Sequence, residues 1–176
     1  MKCIVAVLAL FFSVTLSAQE VIFNQNFEKL PEGKQLLEQG KDRFFSWYDD
    51  TSWEVVSGDG ADEGKKFAVS STNQQVNIVQ YADLVAGETY VFSVDVKIDN
   101  QGVAWKRNYS IGISSGKKGD SHSYKNEKIE MPVEGKWESH SFKFKVKEGR
   151  EKISFQVGRW AEGGVLCVDN FKIVKM

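Results

Sequence analysis

Covalent catalysis needs a nucleophile beside a base, and glycoside hydrolysis needs two carboxylates facing across a cleft. The chain carries two histidines, His122 and His140, each set between serines and neither at a motif distance from an Asp or Glu. It has no His-Glu-x-x-His pair that would hold zinc. Its 24 acids offer many carboxylate pairs, yet on the strand with the clearest alternation the outward acid is Asp95, beside Ser93 and Lys97. That setting suits hydrogen bonding or solvation better than proton transfer, so enzymatic activity is not expected. Cys167 lies in Val165-Leu166-Cys167-Val168 with nothing beside it to lower its pKa, and reads as a buried strand residue. The 23 Lys+Arg against 24 Asp+Glu are interspersed, apart from Lys143, Lys145 and Lys147, which leaves no basic face for nucleic acid.

The elements that position these residues alternate with a period of two. Lys2 followed by the apolar run from Cys3 to Phe12 and by Leu16-Ser17-Ala18 has the layout of a secretory signal peptide over residues 1–18, with a mature start at Gln19. Residues 19–176 then form one exported domain with no membrane attachment, periplasmic or extracellular. A single cysteine remains after cleavage, so no intramolecular disulfide is expected. Tyr90, Phe92, Val94, Val96 and Ile98 share one strand face, with Ser93, Asp95 and Lys97 on the other. Phe142 to Lys147, Ile153 to Val157 and Phe171 to Val174 alternate alike, and Gly-containing turns separate the strands. Residues 30–45 allow one short helix or turn, and residues 114–128 read as a long polar loop. Nine or so short strands give an all-β fold, a two-sheet antiparallel β-sandwich of the jelly-roll kind.

Asn26-Phe27-Glu28, Trp53, the Gly60 to Ser70 segment, Gln80 with Leu84-Val85-Ala86-Gly87-Glu88-Thr89-Tyr90, Gly135-Lys136-Trp137 and the terminal Val168-Asp169-Asn170-Phe171-Lys172-Ile173 follow one another in a telling order. That order resembles the carbohydrate-binding modules of families four, nine and twenty-two, which are galactose-binding-like jelly rolls, over essentially all of residues 19–176. The resemblance implies a non-catalytic protein that binds poly- or oligosaccharide, and a structural calcium. Carried over, the calcium site would use the carboxylates of Glu28 and Asp169 with oxygen from Asn26, Asp62 and Lys65. Asp59, Asp62 and Glu63 all compete for one place in that set. The alternative is that Glu28 and Asp169 are strand-end carboxylates serving turn hydrogen bonds.

Sugar binding requires a flat ring to stack on a pyranose and planar polar groups that each meet two hydroxyls. Trp53, Trp137 and Tyr90 read as core by position and parity. Trp47 and Tyr48 suit either an end cap of the sandwich or a groove rim. Trp105, Tyr124 and Trp160 are the rings placed to wall a groove, each equally compatible with a structural role. Tyr81, Asp95 and Gln156 would line its floor, with Arg159 just beyond a strand end. The competing function class is a cell-envelope module of the same fold that binds a protein partner.

Overall fold

A computed structural model of the chain describes residues 19–33, 53–62, 64–70, 75–99, 108–117, 120–130, 132–159 and 164–176. The signal segment, Trp47, Tyr48 and residues 34–45 lie outside them. Among the described residues there are ten strands: β1 (Glu20–Gln25), β2 (Trp53–Ser57), β3 (Lys66–Ser70), β4 (Val76–Asp83), β5 (Thr89–Asp99), β6 (Asn108–Lys117), β7 (Asp120–Glu130), β8 (Glu138–Lys145), β9 (Lys152–Arg159) and β10 (Val165–Lys175). There is no helix among the described residues. All pairings are antiparallel and make two sheets, β2-β3-β10-β5-β8 with β1 on β10, and β4-β9-β6-β7.

The alternating residues of β5 explain the packing. Tyr90, Phe92, Val94, Val96 and Ile98 are all buried and face Ile78, Ile111, Ile113, Phe155 and Val157 of the other sheet. Phe92 lies 5.1 Å from Phe155 and 4.8 Å from Phe171, ring centre to ring centre. Trp53 and Tyr90 are core residues, as their positions indicate. Trp137 is not: it lies half-buried on the outer side of the six-stranded sheet, edge-on to Phe67, with the Lys97 ammonium 5.1 Å from its ring. Its indole N–H donates to the Asp59 carbonyl, so it covers the Lys97 and Phe67 side chains instead of filling the interior.

Residues 114–117 and 120–128 are not a polar loop. They complete β6 and form most of β7, a hairpin whose register shifts between Ile113 and Ser114. The shift is a β-bulge, and it breaks the alternation that sequence reading relies on. β7 and β8 are edge strands of different sheets, and a polar tie joins the sheets beside them. The Tyr109 hydroxyl on β6 is 2.8 Å from Glu138 Oε2 and 2.6 Å from His140 Nε2, both on β8. A carboxylate can only accept, so Tyr109 donates to Glu138, and a neutral His140 must carry its proton on Nε2 to donate to Tyr109. Burial, reinforced by Glu138, pushes the Tyr109 phenol far up, while burial holds His140 below its usual value.

β10 is the hub of the larger sheet. β5 borders one flank, while the other is bordered first by β3 at Cys167 and Val168 and then by β1 from Phe171 onward. The change of neighbour falls at Asp169 and Asn170, where Asn170 takes a positive φ of 48° and the register with β5 shifts.

Candidate functional site

On β9, Ile153, Phe155 and Val157 enter the core, so Lys152, Ser154, Gln156 and Gly158 face away from it. The register sets Asp83, Tyr81, Val79 and Asn77 of β4 beside them on one flank. Ser114, Gly112 and Ser110 of β6 stand on the other. Two of these positions lack a side chain for a reason. A Cβ at Gly112 would lie 2.4 Å from Gln156 Nε2, because the Gln156 amide lies across it, and one at Gly158 would lie 2.9 Å from Asn77 Cβ. Asn77, Val79, Ser110 and Ser154 are buried although they point outward, which makes the face recessed. Gln156 Oε1 is buried there with no hydrogen-bond partner among the described residues. Tyr81 remains 43% exposed, with the Lys152 ammonium 5.5 Å from its ring centre.

Tyr81 and Gln156 are thus brought together, and Asp95 is not with them. β5 belongs to the six-stranded sheet, and Asp95 lies on that sheet's outer side, accepting from Asn170 Nδ2 at 2.7 Å. There it lines a cavity of about 430 Å³ with Ser93, Ser139 and Lys172, on the far side of the sandwich from Gln156. Alternation fixes which way a residue points from its own sheet; it does not say which sheet the strand joins.

Arg159 is also elsewhere. β9 continues through it, so it keeps the inward parity of Val157, pairs with Val76 and is fully buried, donating to the Gly164 carbonyl. Burial lowers its guanidinium to about 10. Tyr124 leans between the sheets, its ring 5.4 Å from Phe144 and its hydroxyl accepting from the Lys147 N–H, so it walls no groove on the outer face. Trp105 and Trp160 lie outside the described residues. Cys167 is buried and its thiol is pushed up to about 12, with burial the main cause.

Sequence reasoning passed over Asn77, Ser110, Gly112, Ser154 and Gly158, although a glycine inside a strand signals close approach. It also passed over the spelling Gly112-Ile113-Ser114-Ser115-Gly116, which matches a nucleophile elbow. The segment is strand interior, not a strand-to-helix turn, and Ser114 Oγ lies 2.9 Å from Ser154 Oγ.

The second feature sits where β10 changes neighbours. Asn26, Glu28, Asp62, Gly64, Asp169 and Asn170 line a cavity of about 160 Å³. Glu28 Oε1 accepts from the backbone N–H of Lys65 and of Lys66, at 2.7 and 2.8 Å. Asp169 Oδ2 accepts from Ala61 N–H at 3.0 Å, and its Oδ1 from Asn170 N–H at 2.8 Å. Burial, with smaller contributions from Asp95 and Glu28, raises the Asp169 carboxyl to about 6 against two lowering backbone hydrogen bonds. Four of the five residues expected at a metal site therefore meet here. Lys65 differs, because its carbonyl accepts from Gly58 N–H while Gly64 borders the cavity.

Phe27, between Asn26 and Glu28 just past the end of β1, has a positive φ of 60°, so left-handed non-glycine backbone borders the pocket there and at Asn170 of β10. Among the described residues no three His, Cys, Asp or Glu side chains are converged on a metal position. The lining is oxygen-rich and mixes carboxylate with amide and backbone oxygen, the donor chemistry of calcium.

A family model described as a carbohydrate binding domain matches residues 19–162. Among curated proteins none matches. Among solved structures, a family 22 module with its xylanase module from Clostridium thermocellum xylanase 10B, complexed with xylohexaose, aligns at 15% identity and a TM-score of 0.65. The alignment covers 90% of this chain and 29% of that one. The C-terminal family 22 module of the same Clostridium thermocellum enzyme aligns at 13% identity and a TM-score of 0.63, covering 90% of this chain and 96% of that one. A xylan-binding family 22 domain from Paenibacillus barcinonensis gives 13% identity and a TM-score of 0.60, covering 90% and 96%. At these identities the likeness is one of fold, a jelly-roll sandwich. The family model spans most of the chain, and the chain belongs to the carbohydrate-binding domain family of the four and nine type, a family of non-catalytic modules.

Proposed function

We propose that this protein is exported and binds a poly- or oligosaccharide on the recessed outer face of the four-stranded sheet, and that a structural calcium occupies the acidic pocket. The observation that carries the sugar reading is the pairing of Gln156 with Gly112. A flat amide lies on a glycine floor with its oxygen buried and unpartnered, beside the exposed ring of Tyr81. An unsatisfied buried acceptor costs about 1–3 kcal/mol, and a sugar hydroxyl donating to it removes that cost. The ring supplies the apolar surface on which a pyranose face stacks. Xylan is the first polymer to try, because two of the structural neighbours are described with xylan or xylohexaose.

Asn26, Glu28, Asp62 and Asp169 would hold the calcium, whose charge offsets that of carboxylates crowded at the junction of β1, β3 and β10. Affinity electrophoresis against xylan and mixed β-glucans tests the sugar reading. Retardation by one polymer is expected, with Tyr81→Ala or Gln156→Ala weakening it about tenfold, equivalent to about 1.4 kcal/mol. Retardation untouched by both variants would move the site to another face, and no retardation by any polymer would favour the protein-partner reading.

A further inference from the structure

The outer side of the six-stranded sheet carries a recess of its own. Phe92, Val94 and Val96 of β5 enter the core, so Ser93 and Asp95 face outward. The register sets Ser141 and Ser139 of β8 beside them on one flank, and Lys172 and Asp169 of β10 on the other. The register shift between Asp169 and Lys172 lets Asn170 join this side, where its amide nitrogen donates to Asp95 Oδ2 at 2.7 Å and to Asp62 Oδ2 at 2.9 Å. Three short serines around a carboxylate held in this way leave the cavity of about 430 Å³, a volume in the range of small-molecule sites, about 300–1,000 Å³.

Asp95 is only 8% exposed, and its Oδ1 makes no hydrogen bond among the described residues. The neighbouring charges are already directed elsewhere. Lys97, two positions along β5, reaches Asp99 at 3.2 Å between the Phe67 and Trp137 rings, and Asp169 accepts from the Ala61 and Asn170 N–H groups. His140 turns its ring to Tyr109. The charged side chains lining the cavity are then Asp62, Asp95 and Lys172. An anion would meet two carboxylates, and an apolar ligand would cut them off from water. Hydroxyl groups suit this lining, because each can accept from Lys172 or a serine while donating to Asp95.

We infer that this cavity binds an uncharged sugar unit, at a site separate from the groove on the four-stranded sheet, with Asp95 accepting from its hydroxyls and Lys172 donating to them. The ligand class rests on the glycan reading above; the location does not. The two sites lie back to back on opposite sheets, so one domain can hold two glycan chains at once.

The test follows backbone amide shifts by NMR in the whole protein, in buffer containing calcium. The probes are the methyl glycosides of xylose, glucose, galactose, mannose and arabinose, with glucuronate and glucosamine as charged comparators. At least one uncharged glycoside should give saturable shifts at Ser93, Ser139 and Ser141 that persist in Gln156→Ala. Asp95→Ala should weaken them about tenfold, as loss of a charge-assisted hydrogen bond does. Ser141→Arg, at an exposed position on an edge strand, should block the cavity without touching the core, and carries the test if Asp95→Ala fails to fold. No shift at these amides, shifts that both variants leave unchanged, or tighter binding of glucuronate or glucosamine than of the uncharged glycosides overturns the inference, while polymer retardation through Gln156 still stands on its own. Shifts at these amides without any retardation that depends on Tyr81 or Gln156 would uphold this site and overturn the groove.

Discussion

At Gly112 and Gly158 a missing side chain does different things. The three atoms nearest to an added Cβ at Gly112 all belong to the Gln156 side chain, which can swing away. Gly112→Ala should therefore keep its urea midpoint and lose about tenfold in glycan affinity, because the amide leaves the floor. An added Cβ at Gly158 meets Asn77 Cβ and the Val76 carbonyl, which cannot move without shifting β4. Gly158→Ala should cost about 1–3 kcal/mol in urea unfolding. These roles were legible only in part. Gly112 between Ile111 and Ile113 announces a strand whose outer face is approached closely, but the approaching side chain comes from a strand more than 40 positions away. Arg159 was misplaced for a simpler reason: the strand runs further than its apolar alternation, and parity continues through the charged residue.

Strands show the same division between near and far information. β5 was readable from alternation alone, because a central strand with one face in the core must alternate. β7 was not, since its inward positions include His122, Lys125 and Glu127, and the bulge beside Ser114 resets its period. Those polar inward residues meet β8 at the open edge of the sandwich, and His140 is the one whose ionisation stability should report. It is flanked by Glu138, Glu127 and Asp95, which favour its charged form, and by the Tyr109 hydroxyl, but burial dominates and keeps its pKa below 6.5. The unfolded chain therefore takes up a proton near pH 6.5 while the folded chain resists, so this contribution to stability is lost as the pH falls through that value. Between pH 7.5 and 5.5 with chelator the Asp169 carboxyl, raised to about 6, works in the opposite direction, so the His140 effect is read as a difference: the urea midpoint of the unaltered protein should fall relative to that of His140→Gln as the pH drops.

On the scale of the whole molecule, the sequence specified a two-sheet sandwich and the residues that crowd at one junction, but not the partition of strands between sheets. That partition is set by long-range pairing, which no local pattern records, and it is why Asp95 and Gln156 stand on opposite sides. The junction itself was readable because a carboxylate-bearing segment at each chain end matches a known arrangement. The described fold holds together with no disulfide, its cysteine being buried and single. Calcium at a hundred times its Kd would add about 2.7 kcal/mol, a rise in melting temperature of roughly 5–10 °C for a domain of this size. Differential scanning fluorimetry with calcium against chelator should record that rise, and Asp169→Asn should abolish it; an unaltered melting temperature in the parent protein would remove the ion from the account.

The pairing of β1 with β10 carries a mechanical meaning. Glu20 lies opposite Lys175, so residues 20 and 175 stand side by side at one end of an antiparallel ladder. Tension pulling those ends apart loads the ladder as a zipper, one rung at a time from Glu20 towards Gln25, and not as a shear lap in which all rungs share the load. The acidic pocket begins at Asn26, just past the last rung. A cation bound there would act as the stop of the zipper, so that the outer rungs open under low force while the sandwich behind the stop, with its ligand face, stays closed.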